Sequence, residues 1–217
     1  MKIILKSLIN KVIQENDLKL TQFRDILCEK RSRDVIVVDI QPMYKDSIYF
    51  DIEDFGQFLL SNHRILYFYN GPDTVGDDTK DDIINMLWKL TESEELAEKL
   101  QSSDTIWIDK GYGFFRTWMD NGADIGFIQK AIRYMVNLGF NDSRDIDPEQ
   151  WKHEFPDDWQ DYFEDDPLYM PDISLGELKT WNGSYITGGG QDECLKEVQI
   201  LMNAFNIKYT IVPTFVY

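Results

Sequence analysis

Asp34-Val-Ile-Val-Val-Asp39 is a run of four apolar, β-branched residues between two acids. A strand that is buried on both faces of a parallel sheet has this continuous apolar profile, because helices cover both of its sides. Four later segments also have strand character, at 64–69, 105–108, 184–187 and 208–212. Helical patterns lie between the strands, over 52–60, 79–101 with a break near Thr91, 124–138 and 192–205. This alternation predicts a doubly wound, mostly parallel sheet in a three-layer α/β/α domain.

Two segments stand apart from the alternating pattern. Residues 1–33 contain two helical stripes followed by a basic cluster, and we expect an N-terminal helical appendage there. The α/β domain then covers 34–217. Within it, the region from about 141 to 180 is rich in acidic and aromatic residues, which predicts an ordered insertion on the surface of the domain.

The composition favours a packed, acidic protein. The chain has 217 residues, 43% of them hydrophobic, and a net charge of −17. Such a charge repels nucleic-acid phosphates, so a nucleic-acid partner is expected only if a divalent ion bridges the repulsion. No apolar run approaches the roughly 20 residues of a membrane span, and we expect neither a membrane partner nor a secretory signal. Two cysteines far apart in sequence are typical of free thiols, which favours a cytoplasmic protein.

A glycine-rich turn near the C-terminus carries one of these cysteines. The segment 185–194, Tyr-Ile-Thr-Gly-Gly-Gly-Gln-Asp-Glu-Cys, leads from a predicted strand into a predicted helix. Cys194 falls in the first turn of that helix, where unpaired N–H groups and the helix dipole favour the nucleophilic thiolate. The alternative is a structural cysteine beside a glycine turn, and the neighbouring acid Glu193 opposes thiolate formation.

Three of the predicted strands end on reactive groups. The first ends at Asp39, the third at Lys110, and the fourth leads into Cys194. Ligands of parallel sheets bind at the carboxyl ends of the strands, so we expect these three side chains to meet there. The carboxylate could take the thiol proton, the ammonium could hold negative charge, and helix-start amides could stabilise an oxyanion.

The same three segments resemble motifs of the isochorismatase-like cysteine hydrolases, which include nicotinamidases. Residues 38–41 (Val-Asp-Ile-Gln) look like the family's hydrophobic-Asp-x-Gln motif at the end of the first strand. Residues 110–120 (Lys-Gly-Tyr-Gly-Phe-Phe-Arg-Thr-Trp-Met-Asp) are similar to Lys-x-x-Tyr-x-x-Phe-x-x-Thr-x-x-Asp, with spacings that differ by one or two residues. Residues 188–195 match the spacing of Gly-x-x-Thr-Asp-x-Cys-Val, with Gln in place of Thr and Leu in place of Val.

The resemblance implies a small-molecule hydrolase that acts on an amide or a related small planar substrate and uses no cofactor. Asp39 would be the general base, Lys110 the charge stabiliser and Cys194 the nucleophile. Candidate substrate-binding residues in these segments are Gln41, Tyr112, Arg116, Gly189 and Gly190. The guanidinium among them could bind an anionic substrate through two parallel hydrogen bonds.

The chain departs from this family in two respects. Residues 121–183 intervene between the lysine segment and the cysteine strand, which is more than the family usually has. Nicotinamidases also bind a metal through an Asp and two His after the second strand, whereas this chain offers Asn70 and Asp73 there. We therefore expect no metal site of that type. A catalytically dead relative that uses the fold for binding stays open.

The carboxylates support a second hypothesis. Asp39, Asp73, Asp124 and Asp192 could converge on Mg²⁺ or Mn²⁺, as in PIN- and NYN-type nucleases, which also have an α/β/α sheet with an acid after the first strand. Against this, Gly190 stands where those nucleases have the first acid of a Ser-Gly-Asp-x-Asp loop.

A third hypothesis is an interaction protein without chemistry. The acidic surface, the aromatic residues of 147–169 and the N-terminal helices would suit a viral or regulatory protein that binds a partner. If the protein is a hydrolase, we expect its partner to be a small-molecule substrate. A homo-oligomer is compatible with all three hypotheses.

Overall fold

A computed structural model describes residues 33–72, 78–111, 114–155 and 167–217. Its strands are β1 Val35–Val38, β2 Ile65–Tyr69, β3 Thr105–Asp109, β4 Ser184–Gly188 and β5 Tyr209–Ile211. They form one sheet in the order β3-β2-β1-β4-β5, in which every neighbouring pair is parallel. At the end of the central strand, Val38 pairs with Phe68 on one side and Gly188 on the other. The predicted α/β fold with a parallel sheet is confirmed.

Helices fill the connections between the strands. Their bounds are α1 Ile52–Ser61, α2 Lys80–Thr91, α3 Glu94–Gln101, α4 Arg116–Asp120, α5 Ile125–Asn137, α6 Pro148–Glu154, α7 Leu175–Thr180 and α8 Cys194–Ala204. Short 3-10 helices lie at Pro42–Ser47, Ser143–Asp145 and Pro213–Phe215. Several helices have a side-chain cap at their first turn. The carboxylate of Asp51 accepts hydrogen bonds from two backbone N–H groups at the start of α1, and that of Asp124 does the same at the start of α5.

The core consists of two apolar clusters, one on each face of the sheet. Successive side chains of a strand point to opposite faces, and in β1 Ile36 and Val38 join one cluster while Val35 and Val37 join the other. Helices α5 and α8 pack together on the first face, and α1, α2 and α3 cover the second. Two covered faces explain why β1 contains no polar residue.

The region 141–180 contributes to the core, which differs from the expected surface insertion. Trp151, Phe155, Leu168 and Leu178 are buried in the cluster that also contains α5 and α8. The indole N–H of Trp151 donates to the carbonyl oxygen of Ser143 at 2.9 Å, so the one polar atom of this buried ring has a hydrogen-bond partner. The acids of this region obscured the pattern in the sequence, because they are interspersed with buried aromatic residues such as Trp151 and Phe155. Residues 156–166 lie outside the described part of the chain.

Two other expectations concern the chain as a whole. A helical appendage was predicted for residues 1–33. Residues 1–32, which include Cys28, lie outside the described part of the chain. Within the described residues, no helix is both long enough and apolar enough to cross a membrane.

Candidate active site

The backbone turns sharply where β1 and β4 end. Asp39 has a φ of 53°, in the left-handed region that residues other than glycine seldom adopt. Gly188 has a φ of 83°, and a Cβ there would lie 2.2 Å from the carbonyl oxygen of Val38. Only glycine allows this close approach, which brings the glycine turn of β4 next to Asp39. Strained backbone at a non-glycine residue is concentrated at functional sites in proteins.

Asp39 and Lys110 form a buried ion pair above the sheet edge. The Nζ atom of Lys110 lies 3.0 Å from Oδ2 of Asp39, and both side chains are 0% exposed. Strand β2 lies between the strands that carry them, so the lysine reaches across its end. Within the described residues, the Asp39 oxygens and the Lys110 nitrogen have no hydrogen-bond partner outside the site. Such an incompletely satisfied buried pair is unfavourable for folding.

The charges of this pair depend on each other. Burial raises the pKa of Asp39, and attraction to Lys110 opposes that rise. Burial is the largest single influence on Lys110 and disfavours its charged form. The interactions with Asp39, Cys194 and Glu197 together outweigh burial, so the pKa of the lysine lies above its ordinary value. Because each charge is compensated mainly by the other, the two groups titrate as a coupled pair.

Cys194, the first residue of α8, lies beside this ion pair and is partly buried. Its thiol is close enough to the Asp39 carboxylate for each group to affect the pKa of the other. Burial raises the pKa of the thiol to about 12; the negative charge of Asp39 adds to the rise, and Lys110 opposes it. The expected resting thiolate is therefore corrected to a protonated thiol next to a carboxylate. Burial and the neighbouring acid outweigh the helix dipole.

Glu197 is a further ionisable group of this site, and its place there was not expected from the sequence. It lies one turn after Cys194, is 0% exposed and accepts the backbone N–H of Phe115 at Oε1, at 2.8 Å. Its Oε2 atom has no hydrogen-bond partner in the described residues. Burial raises the pKa of Glu197, and attraction to Lys110 opposes the rise. The sequence did contain a signal for this position: an acid at 197 lies on the face of α8 that also carries the apolar residues 198 and 201.

A pocket of about 400 Å³ opens in front of Cys194. The rings of Tyr44 and Tyr217 form adjacent parts of its wall, with centroids 6.2 Å apart. Their hydroxyl groups are held at the sheet edge: Tyr217 donates to the carbonyl oxygen of Asp39 at 2.8 Å, and Tyr44 accepts from Nδ2 of Asn70 at 2.6 Å. No local sequence pattern marks these tyrosines, because distant parts of the chain bring them together.

A larger cavity of about 630 Å³ lies between α8 and β5. It shares Tyr217 with the smaller pocket, but Cys194 does not line it. Both Asp192 and Lys196 line this cavity, and none of the buried ionisable groups of the site does. The smaller pocket is therefore the one that gives a ligand access to the thiol.

The predicted substrate-binding residues have different positions. Gln41 is fully buried; its Oε1 accepts the N–H of Asn70 at 2.9 Å, and its Nε2 donates to the carbonyl oxygen of the same residue at 3.2 Å. This side chain thus joins the ends of β1 and β2. Gly190 lines the pocket, and Gly189, with a φ of 62°, is buried beside Leu195. Tyr112 lies outside the described residues.

Arg116 does not offer the free anion-binding fork that its side chain suggested. Its Nε atom lies 3.0 Å from both carboxylate oxygens of Asp120, four residues later in α4. Its Nη2 atom lies 3.5 Å from Oε1 of Glu193, which lines the pocket. The spacing of four residues predicts the first contact, whereas the second needs the folded chain.

The carboxylates of the nuclease hypothesis do not converge within the described residues. Asp39 is paired with Lys110, Asp124 caps α5, and Asp192 is exposed in the turn before α8. In the described part of the chain, no group of three or more His, Cys, Asp or Glu side chains could hold a metal ion. Asp73 lies outside it. The described residues therefore do not fit the proposed Mg²⁺ or Mn²⁺ site.

Comparisons of the chain with protein-family models, curated proteins and solved structures found no match. A functional conclusion for this protein therefore depends on the chemistry of its own residues, above all on the group formed by Asp39, Lys110, Cys194 and Glu197.

Proposed function

We propose that this protein is a cysteine-dependent hydrolase that cleaves a small amide, with the reaction type of the isochorismatase-like cysteine hydrolases. One observation supports this best: a buried carboxylate is paired with an ammonium and lies near enough to a thiol to affect its pKa. The carboxylate of Asp39 lies 3.0 Å from the nitrogen of Lys110 and interacts with the thiol of Cys194. The pocket in front of the thiol, about 400 Å³, is within the size range of small-molecule sites.

The first half of the reaction forms a thioester. The sulfur of Cys194 attacks the amide carbonyl carbon while Asp39 accepts the thiol proton, and the electron pair of the C=O bond moves to oxygen. When the oxyanion collapses, the C–N bond breaks and Asp39 returns the proton to the leaving nitrogen. A thiol with a raised pKa suits this sequence, because its proton leaves during the attack and not before.

The second half hydrolyses the thioester. Water attacks the thioester carbonyl while Asp39 accepts a water proton, and the cysteine sulfur leaves and regains that proton. The overall balance is one amide and one water to one carboxylic acid and one ammonia or amine. Lys110 stays protonated throughout, and its charge compensates the carboxylate each time Asp39 loses the proton.

Backbone N–H groups at the start of α8 are suited to stabilise the oxyanion. The N–H of Cys194 belongs to the first turn of the helix, where backbone donors lack an intrahelical partner. It donates to no acceptor within the described residues. Preorganised donors of this kind contribute most where charge develops on the carbonyl oxygen.

Ammonia release from a panel of small primary amides, aromatic and aliphatic, tests the proposal with the full chain. We expect turnover of at least one amide class, and Cys194→Ser should lower its kcat/KM by on the order of 10³-fold or more, because the variant lacks the nucleophile. Cys28→Ser is the matched control and should leave kcat/KM unchanged. Intact-mass measurement after acid quenching should detect an acyl group on Cys194.

Two results would contradict the proposal. Amide turnover that survives Cys194→Ser would exclude this thiol as the nucleophile. No turnover and no acyl adduct with any amide of the panel would instead favour a binding protein without catalytic activity.

A further inference from the structure

The entrance of the Cys194 pocket is acidic. Glu193 lines it with a side chain that is 62% exposed. The other residues of the lining, which include Tyr44, Tyr217 and Ser47, carry no charge at neutral pH, and no Lys, Arg or His belongs to the described lining. A ligand that approaches the thiol therefore meets a carboxylate before it meets any accessible cation.

The two cations near the site are already compensated. Arg116 contacts Asp120 at 3.0 Å and Glu193 at 3.5 Å, so two acids share one guanidinium and this group of three carries a net charge of about −1. Lys110 is 0% exposed and paired with Asp39. Neither cation is placed to attract an anionic ligand, and the net charge of −17 for the chain adds to the repulsion.

The shape of the pocket complements this charge. The adjacent rings of Tyr44 and Tyr217 are held by hydrogen bonds of their hydroxyl groups, so they provide fixed aromatic faces beside the thiol. Aromatic faces attract planar groups and cations. A ring wall and a carboxylate at one entrance suit a flat, positively charged ligand.

We propose that the site selects a planar amide that carries a positive charge, and that Glu193 at the entrance discriminates against anionic substrates. This inference rests on the proposed function, since it concerns the substrate that reaches Cys194. It replaces the anionic substrate that Arg116 suggested in the sequence.

Two thiol reagents of similar size and opposite charge test the inference without a known substrate. The probes are 2-(trimethylammonio)ethyl methanethiosulfonate and 2-sulfonatoethyl methanethiosulfonate. With each, the cysteine sulfur forms a disulfide to the probe, and methanesulfinate leaves with the electron pair of the broken S–S bond. The rates are measured at Cys194 in full-length Cys28→Ser protein, and their ratio is divided by the ratio for 2-mercaptoethanol, which cancels the intrinsic reactivities.

We expect the normalised cation-to-anion ratio at Cys194 to exceed 1. Glu193→Gln should lower it by roughly tenfold, because one unit charge about 6 Å away in a water-like medium changes the rates of the two probes by about threefold each, in opposite directions. Glu193→Lys should lower the ratio further. Glu98→Gln is the matched control, because it removes one acid from the exposed side of α3 and should leave the ratio unchanged. This control separates the charge at the entrance from the net charge of the protein.

A normalised ratio near 1, or one that is equal in the wild type and both Glu193 variants, would overturn the inference. Cys194-dependent amide hydrolysis could still be present in that case, so the proposed function would stand. A ratio that depends on Glu193, together with no hydrolysis of any amide, would support the charge selectivity of the pocket and contradict the hydrolase proposal.

Discussion

Two ion pairs lie at opposite ends of the central strand β1. Asp34, just before the strand, pairs with Arg64 at 2.7 Å, and the two side chains are 22% and 36% exposed. Asp39, just after the strand, pairs with Lys110 at 3.0 Å, and both side chains are 0% exposed. The outer pair has further partners, because Arg64 also lies 4.4 Å from the ring centre of Trp181. The inner pair has none outside the site among the described residues.

The difference indicates which pair serves the fold and which serves chemistry. The Asp34 carboxylate also accepts the backbone N–H of Arg64, so the outer pair joins the starts of β1 and β2 in partial contact with water. The inner pair gives up hydration, includes a residue with strained backbone, and affects the pKa of a nearby thiol. Folding alone does not require these features of Asp39, and hydrolysis would make use of each of them.

The largest expected difference is in activity. Asp39→Asn removes the proposed base but tolerates the left-handed backbone, since Asn adopts that conformation readily. We expect kcat/KM for amide hydrolysis to fall by on the order of 10³-fold, within the range for loss of a general base. Asp34→Asn removes the same charge from the other end of β1 and should leave kcat/KM within about twofold. Equal effects of the two variants would contradict the distinction.

The next difference is in stability, measured as the free energy of unfolding from urea titrations. Lys110→Met leaves the Asp39 charge buried without its partner and should cost about 3–5 kcal/mol. Arg64→Met affects a pair that water reaches and should cost about 1 kcal/mol or less. The double variant Asp39→Asn/Lys110→Met should recover part of the loss, because it leaves no unpaired charge. If the double variant is less stable than Lys110→Met, the unpaired charge of Asp39 is not the cause of the stability loss.

The sequence predicted the elements of the site better than its chemistry. The ends of β1, β3 and β4 could be placed because apolar runs stop at Asp39, Lys110 and a glycine turn, and a parallel sheet brings such ends together. The protonation state of Cys194 could not be predicted, because it depends on burial that only the packed structure defines. The tyrosines of the pocket wall were missed for a similar reason, since residues far apart in the chain form it.

Each pair also has a second acid, which allows a finer comparison. Glu197 is buried beside the inner pair and contributes to the raised pKa of Cys194. Glu177 lies 3.7 Å from Arg64 in the outer pair. Glu197→Gln should lower the pKa of the Cys194 thiol, by less than Asp39→Asn does, because Glu197 is a weaker contributor. Glu177→Gln should leave it unchanged, and the pH dependence of alkylation distinguishes the two.

The smallest expected difference is the response to salt. Raising the salt concentration to about 1 M shortens the screening length to about 3 Å, which weakens interactions between exposed charges. The stability cost of Arg64→Met should therefore decrease by a few tenths of a kcal/mol, about the value of an exposed pair. The cost of Lys110→Met should stay the same, because salt does not enter the buried site. If salt lowers the stability cost of Lys110→Met by as much as that of Arg64→Met, water reaches the inner pair.

The most direct test of whether Asp39 controls the thiol is the pH dependence of Cys194 alkylation by iodoacetamide in a Cys28→Ser background. The wild-type rate should continue to rise towards a pKa of about 12, well beyond the ordinary thiol value of 9.0. Asp39→Asn should shift the profile to lower pH, since it removes a negative charge and leaves Lys110 in place, whereas Asp34→Asn should not shift it. A wild-type thiol that titrates near 9.0, or a profile unchanged by Asp39→Asn, would contradict direct control of Cys194 by the buried pair.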